Sequence, residues 1–386
     1  MSDGTRWPSD ILRTMKVLIA AGTRPEAIKL APLGAELRRR PDQFDVRFCS
    51  TGQHREMLDQ VLRLFHLNSD IDLDVMTPNQ QLGDLTASVL QRMSAVLRTE
   101  RPDWVVVQGY TTTTMATALA AFYQKLPVAH VEAGLRSGDR FHPYPEEWNR
   151  KATDAASDLL FAPTEQAAAN LRAEGYGAEQ IFVTGNTGID ALLQVASRAD
   201  TPFVRALVSA HAGTRLVLVT THRRENFGSP LSGICDGLLS LAQRVPDVQF
   251  VLPVHRNPNV AEVVHERLGG NPRFTLTAPL DYADFVGVMK HASLILTDSG
   301  GVQEEAPSLG VPVLVLREKT ERQEAVEAGT ARLVGTDAAV IADTAHRLLT
   351  DAAERQRMIG ARNPFGDGQA SARIANALFA HRPVAR

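Results

Sequence analysis

The chain has 386 residues, more than one hydrophobic core comfortably holds, since cores stop growing at about 250–300 residues and longer chains divide. With 44% hydrophobic and 22% charged residues, and 41 basic against 44 acidic side chains for a net charge of −3, it offers no electrostatic case for nucleic acid or an anionic membrane. Its two cysteines, Cys49 and Cys235, lie far apart, which disfavours a disulfide scaffold or zinc module and fits a reducing cytoplasm. No apolar run approaches the ~20 residues of a membrane span. Composition therefore points to a soluble, cytoplasmic, two-domain protein acting on something small.

Residues 1–14 mix acids, bases and Pro without an apolar stretch, so they read as a loose extension rather than a signal peptide. From Met15 a single pattern repeats, an apolar strand ending in Gly, Thr or a polar cluster and then a helix. Met15–Ala20 leads through Gly22-Thr23-Arg24-Pro25 into an amphipathic stretch from Glu26 to Arg40. Val46–Ser50 leads through Thr51-Gly52-Gln53-His54 into a helix to about Phe65. Trp104–Val107 leads through Gly109-Tyr110 and a Thr run into an Ala-rich helix. Val128–Val131 ends in Glu132-Ala133-Gly134, and Leu159–Ala162 in Pro163-Thr164, with Thr164 placed as an N-cap. A polar stretch around Ser197–Pro202 reads as a linker, after which the pattern restarts. Leu216–Thr220 runs into His222-Arg223-Arg224, Val248–Val254 into His255, Leu294–Thr297 into Asp298-Ser299-Gly300-Gly301, and Val311–Leu316 into Arg317-Glu318. A last helix is expected over Ala370–His381, packing back on the first domain.

Strands alternating with helices imply βαβ units and parallel sheets, and fully apolar strands imply burial on both faces. The expected fold class is α/β, with two Rossmann-like doubly wound domains facing across a cleft. The expected boundaries are 15–195 with 365–386 packing back, and 196–364.

Ligands of such sheets bind beyond the carboxyl ends of the strands, where the unusual polar residues of this chain fall. Ser299-Gly300-Gly301 can bring backbone N–H groups close to a diphosphate, or can be a tight turn needing glycine φ angles; spacing alone leaves these level. Glu304 and Glu305 are candidates for a ribose diol. Arg24 and Lys29 could reach a phosphate or be a solvated basic pair. His222-Arg223-Arg224 concentrates charge behind a buried strand, which is costly without an anion or carboxylates nearby. Glu132 ends a buried strand, where desolvation favours acid/base use, or it pairs with Arg136 or Arg150. Of Glu146 and Glu147, one is expected to be catalytic. Asp70-x-Asp72-x-Asp74 reads as a solvated acidic loop, and Cys49 as a buried small hydrophobe. No GxGxxG, Walker A, HExxH or GxSxG occurs, and no histidine pair has metal-ligand spacing.

GTRPEAIKLAP (22–32), TGQHREMLDQ (51–60), HVEAGLRSGD (130–139), PEEWNRK (145–151), THRRENFG (221–228) and TDSGGVQEEAPSLGVPVLVLRE (297–318) together resemble the non-hydrolysing UDP-N-acetylglucosamine 2-epimerases. The resemblance runs from about Lys16 to Gly335. It implies the glycosyltransferase-B arrangement, a homodimer, and interconversion of UDP-GlcNAc and UDP-ManNAc without NAD or metal, by anti elimination of UDP and re-addition to a glycal. It puts Ser299, Gly300 and Gly301 on the diphosphate, Glu305 on the ribose, Arg24 and Lys29 on the UDP, and His222 on the departing diphosphate. Glu132 and Glu146 would handle protons at the sugar beside Arg150. Gln53 matches the family's regulatory pocket, whereas Asn79 stands where regulated relatives often carry Arg.

One motif departs. The family reads HGD-T-T where this chain has Gln108-Gly109-Tyr110-Thr111-Thr112, so Tyr110 replaces the carboxylate usually cast in proton transfer. Tyrosine ordinarily titrates near 10, which makes it a poor base at neutral pH unless basic neighbours act on it. Three readings follow: Glu132 or Tyr110 does the work, the substrate is a modified nucleotide sugar, or activity is impaired. A glycosyltransferase of the same architecture and a non-catalytic nucleotide-sugar binder are the rival functions.

Overall fold

The computed structural model describes residues 13–52, 55–77 and 80–383. Gln53, His54, Asn79 and the first twelve residues of the expected extension lie outside them. The chain divides into two compact units, Met1–Ala191 with Gly368–Arg386, and Leu192–Asp367.

In the first unit the chain runs β1 (Met15–Ala21), α1 (Arg24–Arg38), β2 (Phe44–Ser50), α2 (Arg55–Leu64), β3 (Ile71–Asp72), α3 (Leu82–Glu100), β4 (Trp104–Gln108), α4 (Thr112–Tyr123), β5 (Val128–Val131), α5 (Glu146–Ala155), β6 (Leu159–Ala162), α6 (Glu165–Ala173), β7 (Ile181–Val183) and α7 (Thr187–Ala196). The division from the second unit falls within α7. The seven strands pair in parallel in the order β3-β2-β1-β4-β5-β6-β7. Strands β4, β5 and β6 are buried at every residue, the reason their sequences carry no polar alternation.

The second unit repeats the scheme with α8 (Pro202–Ala210), β8 (Arg215–Thr220), α9 (Ser229–Arg244), β9 (Val248–Pro253), α10 (Pro258–Leu268), β10 (Phe274–Thr277), α11 (Tyr282–His291), β11 (Ala292–Thr297), α12 (Gly300–Glu305), β12 (Val313–Val315), α13 (Gln323–Glu327), β13 (Ala331–Leu333), α14 (Ala338–Thr350) and α15 (Ala352–Ile359). Its six parallel strands are ordered β10-β9-β8-β11-β12-β13. The core joins Val217, Phe250 and Leu296 from the sheet to Ile234, Leu238 and Ile341 from α9 and α14. Thr164, Thr201, Asp281 and Asp337 each cap a helix through the side chain, satisfying amides with no partner inside the first turn.

Helix α16 (Ala370–Ala380) returns to the first unit, where Phe379 meets Phe44 edge-on and Arg40 donates to Asn376. Its first turn is tied to buried Asp190, whose carboxylate accepts from Ala370 N at 3.2 Å and Ser371 N at 2.7 Å. Burial pushes this carboxyl above its ordinary value against the pull of those amides. Asp190→Ala leaves both amides without acceptor and is expected to cost about 1–2 kcal/mol, read as a lower melting temperature with the UDP affinity unchanged.

One expectation needs refinement. The three acids of Asp70-x-Asp72-x-Asp74 are exposed as expected, but Ile71–Asp72 forms an edge strand beside β2, and Asp70 accepts from Phe48 N and pairs with Arg38. Cys49 is a buried hydrophobe as expected, its thiol pushed up to about 12 by burial. Among the described residues no helix is long and apolar enough to cross a membrane.

Candidate active site

Strand order locates the chemistry. Each sheet reverses direction of winding between two central strands, β1 and β4 in the first unit and β8 and β11 in the second. A crevice opens there because the connections leave toward opposite sides. Arg24 and Tyr110 follow β1 and β4, and His222 and Ser299 follow β8 and β11, so the polar residues sit where topology makes room.

In the second unit that room is a cavity of about 340 Å³, lined by residues that include Thr220, His222, His255, Ser299, Gly301 and Glu305. Pro253, Leu280 and Phe285 give it an apolar side. Neither Gly300 nor Gly301 has a positive φ, so the turn does not require glycine for its backbone angles. The two glycines differ in their surroundings. A Cβ on Gly300 would meet the Arg322 guanidinium at 3.2 Å, so packing explains that residue, and it does not line the cavity. A Cβ on Gly301 would find only Ser299 Oγ, at 4.0 Å, and Gly301 faces the cavity. Of the two acids, Glu304 is buried and paired with Arg322 at 2.7 Å, while Glu305 lines the cavity.

The basic run after β8 is compensated. Arg223 lies 3.8 Å from Glu321, and Asp298 approaches the His222 imidazole at 2.9 Å. Burial alone would raise the Glu321 carboxyl, but the Arg317 hydrogen bond and the nearby charges outweigh it and hold it at about 2.

In the first unit Glu132 is the centre. It follows β5 with φ of 68°, a left-handed conformation costly for a residue with a Cβ and typical of functional positions. Its carboxylate is buried and accepts from Lys29 Nζ at 2.6 and 2.7 Å and from Gln108 Nε2. The salt bridge expected with Arg136 or Arg150 is made with Lys29 instead, and the lysine expected on the UDP is here bound to Glu132. Arg136 goes to Asp154 and Glu174, and Arg150 to Glu147.

Helix α5 separates its two acids by one residue and hence by about 100° around the helix. Glu147 is used structurally, accepting from Ser137 N at 3.1 Å and Arg150 Nη1 at 3.0 Å. Glu146 Oε2 is buried and has no hydrogen-bond partner among the described residues, and the same holds for Glu147 Oε1 and Arg150 Nε. Buried polar atoms left open in this way are expensive unless something else satisfies them. The Arg150 guanidinium lies over the Tyr110 ring, 4.5 Å from its centroid, and Asn149 Nδ2 donates to Tyr110 O at 3.1 Å. Arg24 stands half-exposed at the first position of α1.

Three supporting residues escaped the sequence reading. Glu26 joins β1 to β4, accepting from Gly22 N and Thr23 N and from Thr111 and Thr114 Oγ1. A Cβ on Gly22 would strike Thr113 and Thr51 Oγ1 at 2.4 and 2.5 Å, so the threonine run is packed against this turn. His130 is fully buried, with Nε2 at 2.7 Å from Gly109 O and Nδ1 at 2.6 Å from Asp154, and so ties the Gly109-Tyr110 turn to α5. Gln108 was read only as the first residue of the departing Gln108-Gly109-Tyr110-Thr111-Thr112 motif, although it touches Glu132.

A family model described as UDP-N-acetylglucosamine 2-epimerase matches residues 35–379. The UDP-N-acetylglucosamine 2-epimerase of Yersinia pestis is 52% identical over 374 residues, 95% of this chain and 99% of that protein. That of Escherichia coli K12 is 51% identical over 374 residues, with the same coverage of 95% and 99%. The crystal structure of the Neisseria meningitidis UDP-GlcNAc 2-epimerase bound to UDP-GlcNAc matches at a TM-score of 0.85 and 44% identity, over 95% of this chain and 100% of that one. Likeness of this extent, in sequence and in both doubly wound units, establishes that the chain belongs to the UDP-N-acetylglucosamine 2-epimerase family.

Proposed function

We propose that the protein is an isomerase that interconverts UDP-GlcNAc and UDP-ManNAc at carbon 2, with no redox cofactor or metal. The observation that carries the reading is the open face of Gly301 in the cavity beside Ser299, Glu305 and His222. Glycine is kept there although neither backbone angle nor packing demands it, which leaves close approach of a ligand as its reason. The cavity takes the UDP: Ser299 and Gly301 on the diphosphate with Gly300 in the same turn, Glu305 on the ribose, and the apolar side against uracil. Arg24 and Lys29 are assigned to the UDP as well.

The reaction removes the proton at carbon 2 and breaks the bond from carbon 1 to the β-phosphate oxygen, giving a glycal and UDP. Re-addition of UDP with a proton delivered to the opposite face of carbon 2 gives the epimer. Carbon 2 is not acidic, so departure of UDP must be strongly stabilised, and His222 is placed to donate to it. Glu132 and Glu146 carry the protons at the sugar, with Arg150 and Tyr110 beside them. The protein is proposed to work in the cytoplasm as a homodimer.

Incubation with UDP-GlcNAc in D₂O tests the reading, with UDP-ManNAc appearing and deuterium entering at carbon 2. Neither product nor exchange would reject it for this substrate, and glycosyl transfer to an added acceptor would favour a transferase. Gly301→Ala puts a Cβ on the open face, where it meets only Ser299 Oγ at 4.0 Å, so it is expected to weaken UDP binding by about 10-fold while the melting temperature barely moves.

A further inference from the structure

Asp298 closes β11 fully buried, and neither composition nor the family motif gives it a task. Its carboxylate collects four donors. His222 N approaches its two oxygens at 3.1 and 2.9 Å, Arg223 N lies at 2.9 Å and Asn226 Nδ2 at 3.0 Å. The fourth is the His222 ring, with Nδ1 at 2.9 Å from Oδ1. The three others would suffice to build the turn, and Asn226 also reaches Leu316 O at 3.1 Å. The ring contact is different in kind. It joins a fixed carboxylate across the switch point, from the end of β11 to a side chain at the end of β8, and that side chain is 40% exposed and lines the cavity.

A carboxylate accepts only, so the nitrogen facing it must carry hydrogen. With Nδ1–H committed to Asp298, the ring is held against rotation and its second nitrogen is the one left for the cavity. Burial opposes ionisation of Asp298, but the His222 hydrogen bond and charge and the two backbone N–H groups outweigh it and keep the carboxyl below its ordinary value. The other charged groups near the ring are His255, 6.2 Å away between centroids, Glu305 in the same cavity, and Arg223 with its partner Glu321. Asp298 is the carboxylate that touches the ring.

We infer that Asp298 is the positioning residue of His222, holding the Nδ1–H side of the ring in one orientation so that, as the imidazolium, it presents Nε2–H to the oxygen of the departing diphosphate. The inference rests on the proposed role of His222. A buried carboxylate behind an imidazole holds the ring in its working tautomer and stabilises the imidazolium, so the proton is available when negative charge develops on the leaving group.

The test begins with the wild-type protein labelled with ¹⁵N at histidine. The His222 ring is expected to carry a proton on Nδ1 at neutral pH; an unprotonated Nδ1 overturns the inference without any variant. Asp298→Asn presents a neutral amide to the ring, and the expected result is a shifted His222 Nδ1 signal and a kcat loss of about 10²-fold with KM little changed. His222→Asn should lose as much, and the double variant no more than either. Asn226→Ala removes a donor from the same carboxylate without touching the ring. It should lower the melting temperature yet leave the His222 Nδ1 signal in place, and an equal shift in both variants would mean that Asp298 merely builds the turn. If His222→Asn keeps full activity, the catalytic role of His222 fails while the ring spectra still decide whether Asp298 sets its tautomer.

Discussion

Glu132→Gln is expected to lower kcat for UDP-GlcNAc epimerisation by about 10²–10⁴-fold, the range over which a positioned acid or base acts. The side chain keeps its shape, so a loss reports chemistry rather than a hole in the core. Its surroundings say why the carboxylate matters. It is held in a left-handed backbone conformation by a strand buried at every residue, and two donors, Lys29 and Gln108, fix both of its oxygens. Strain that a Cβ-bearing residue pays in this region persists where the neighbourhood over-determines it, and here the payoff is a carboxylate with one orientation. Lys29→Met separates two consequences of the pair. If Lys29 only balances a buried charge, the variant loses stability; if it also steers the proton, exchange at carbon 2 slows. UDP affinity should largely survive Glu132→Gln, because the cavity proposed to take UDP belongs to the second unit and of the residues assigned to UDP only Lys29 touches Glu132. Epimerisation and D₂O exchange both within about 3-fold of wild type would remove Glu132 from the proton chemistry.

The elements legible in the sequence were those buried on both sides. Val128–Val131 and Leu159–Ala162 coincide with β5 and β6, since a strand covered on both faces must be apolar throughout. The strands that escaped, β3, β7, β10 and β13, are the edges of the two sheets. Each has two to four residues and only partial burial, so it leaves neither an apolar run nor an alternation to read. At the site, strand-end position singled out Arg24, Glu132, His222 and Ser299, because topology alone creates room there. It was silent on choices made by packing. Glu146 and Glu147 are adjacent in sequence, and the distinction comes from the Ser137 amide and Arg150, which capture Glu147 across a turn. Gln108, His130 and Asp298 sit one step behind the reactive groups. Their signal was present, a polar residue inside or at the end of an apolar strand, where burial without a partner is too costly to be accidental.

Tyr110→Asp is expected to raise kcat by about 10-fold or more, and Tyr110→Phe to leave it nearly unchanged. The pair of variants separates the roles of the phenol and of the bulk at this position. A phenol ordinarily titrates near 10 and is a weak base at neutral pH. Arg150 meets the ring rather than its hydroxyl: the guanidinium lies over the face, where the attraction is to the π cloud. The ring therefore acts as a shelf for Arg150, whose Nη1 is already taken by Glu147 and whose Nε has no hydrogen-bond partner among the described residues. Removing only the hydroxyl preserves the shelf, so Tyr110→Phe should be close to silent if Glu132 is the working base. An aspartate at the same place trades the shelf for an acceptor beside Arg150 and shortens a side chain that, in the proposed reading, crowds the sugar. A fall of about 10²-fold in Tyr110→Phe would instead make the phenol the base and move Glu132 to a supporting part. A fall in Tyr110→Asp with Tyr110→Phe unchanged would mean that the ring is adapted to a different nucleotide sugar. Substrate profiling of the wild type against UDP-sugars altered at the N-acyl group should then find one turned over faster than UDP-GlcNAc.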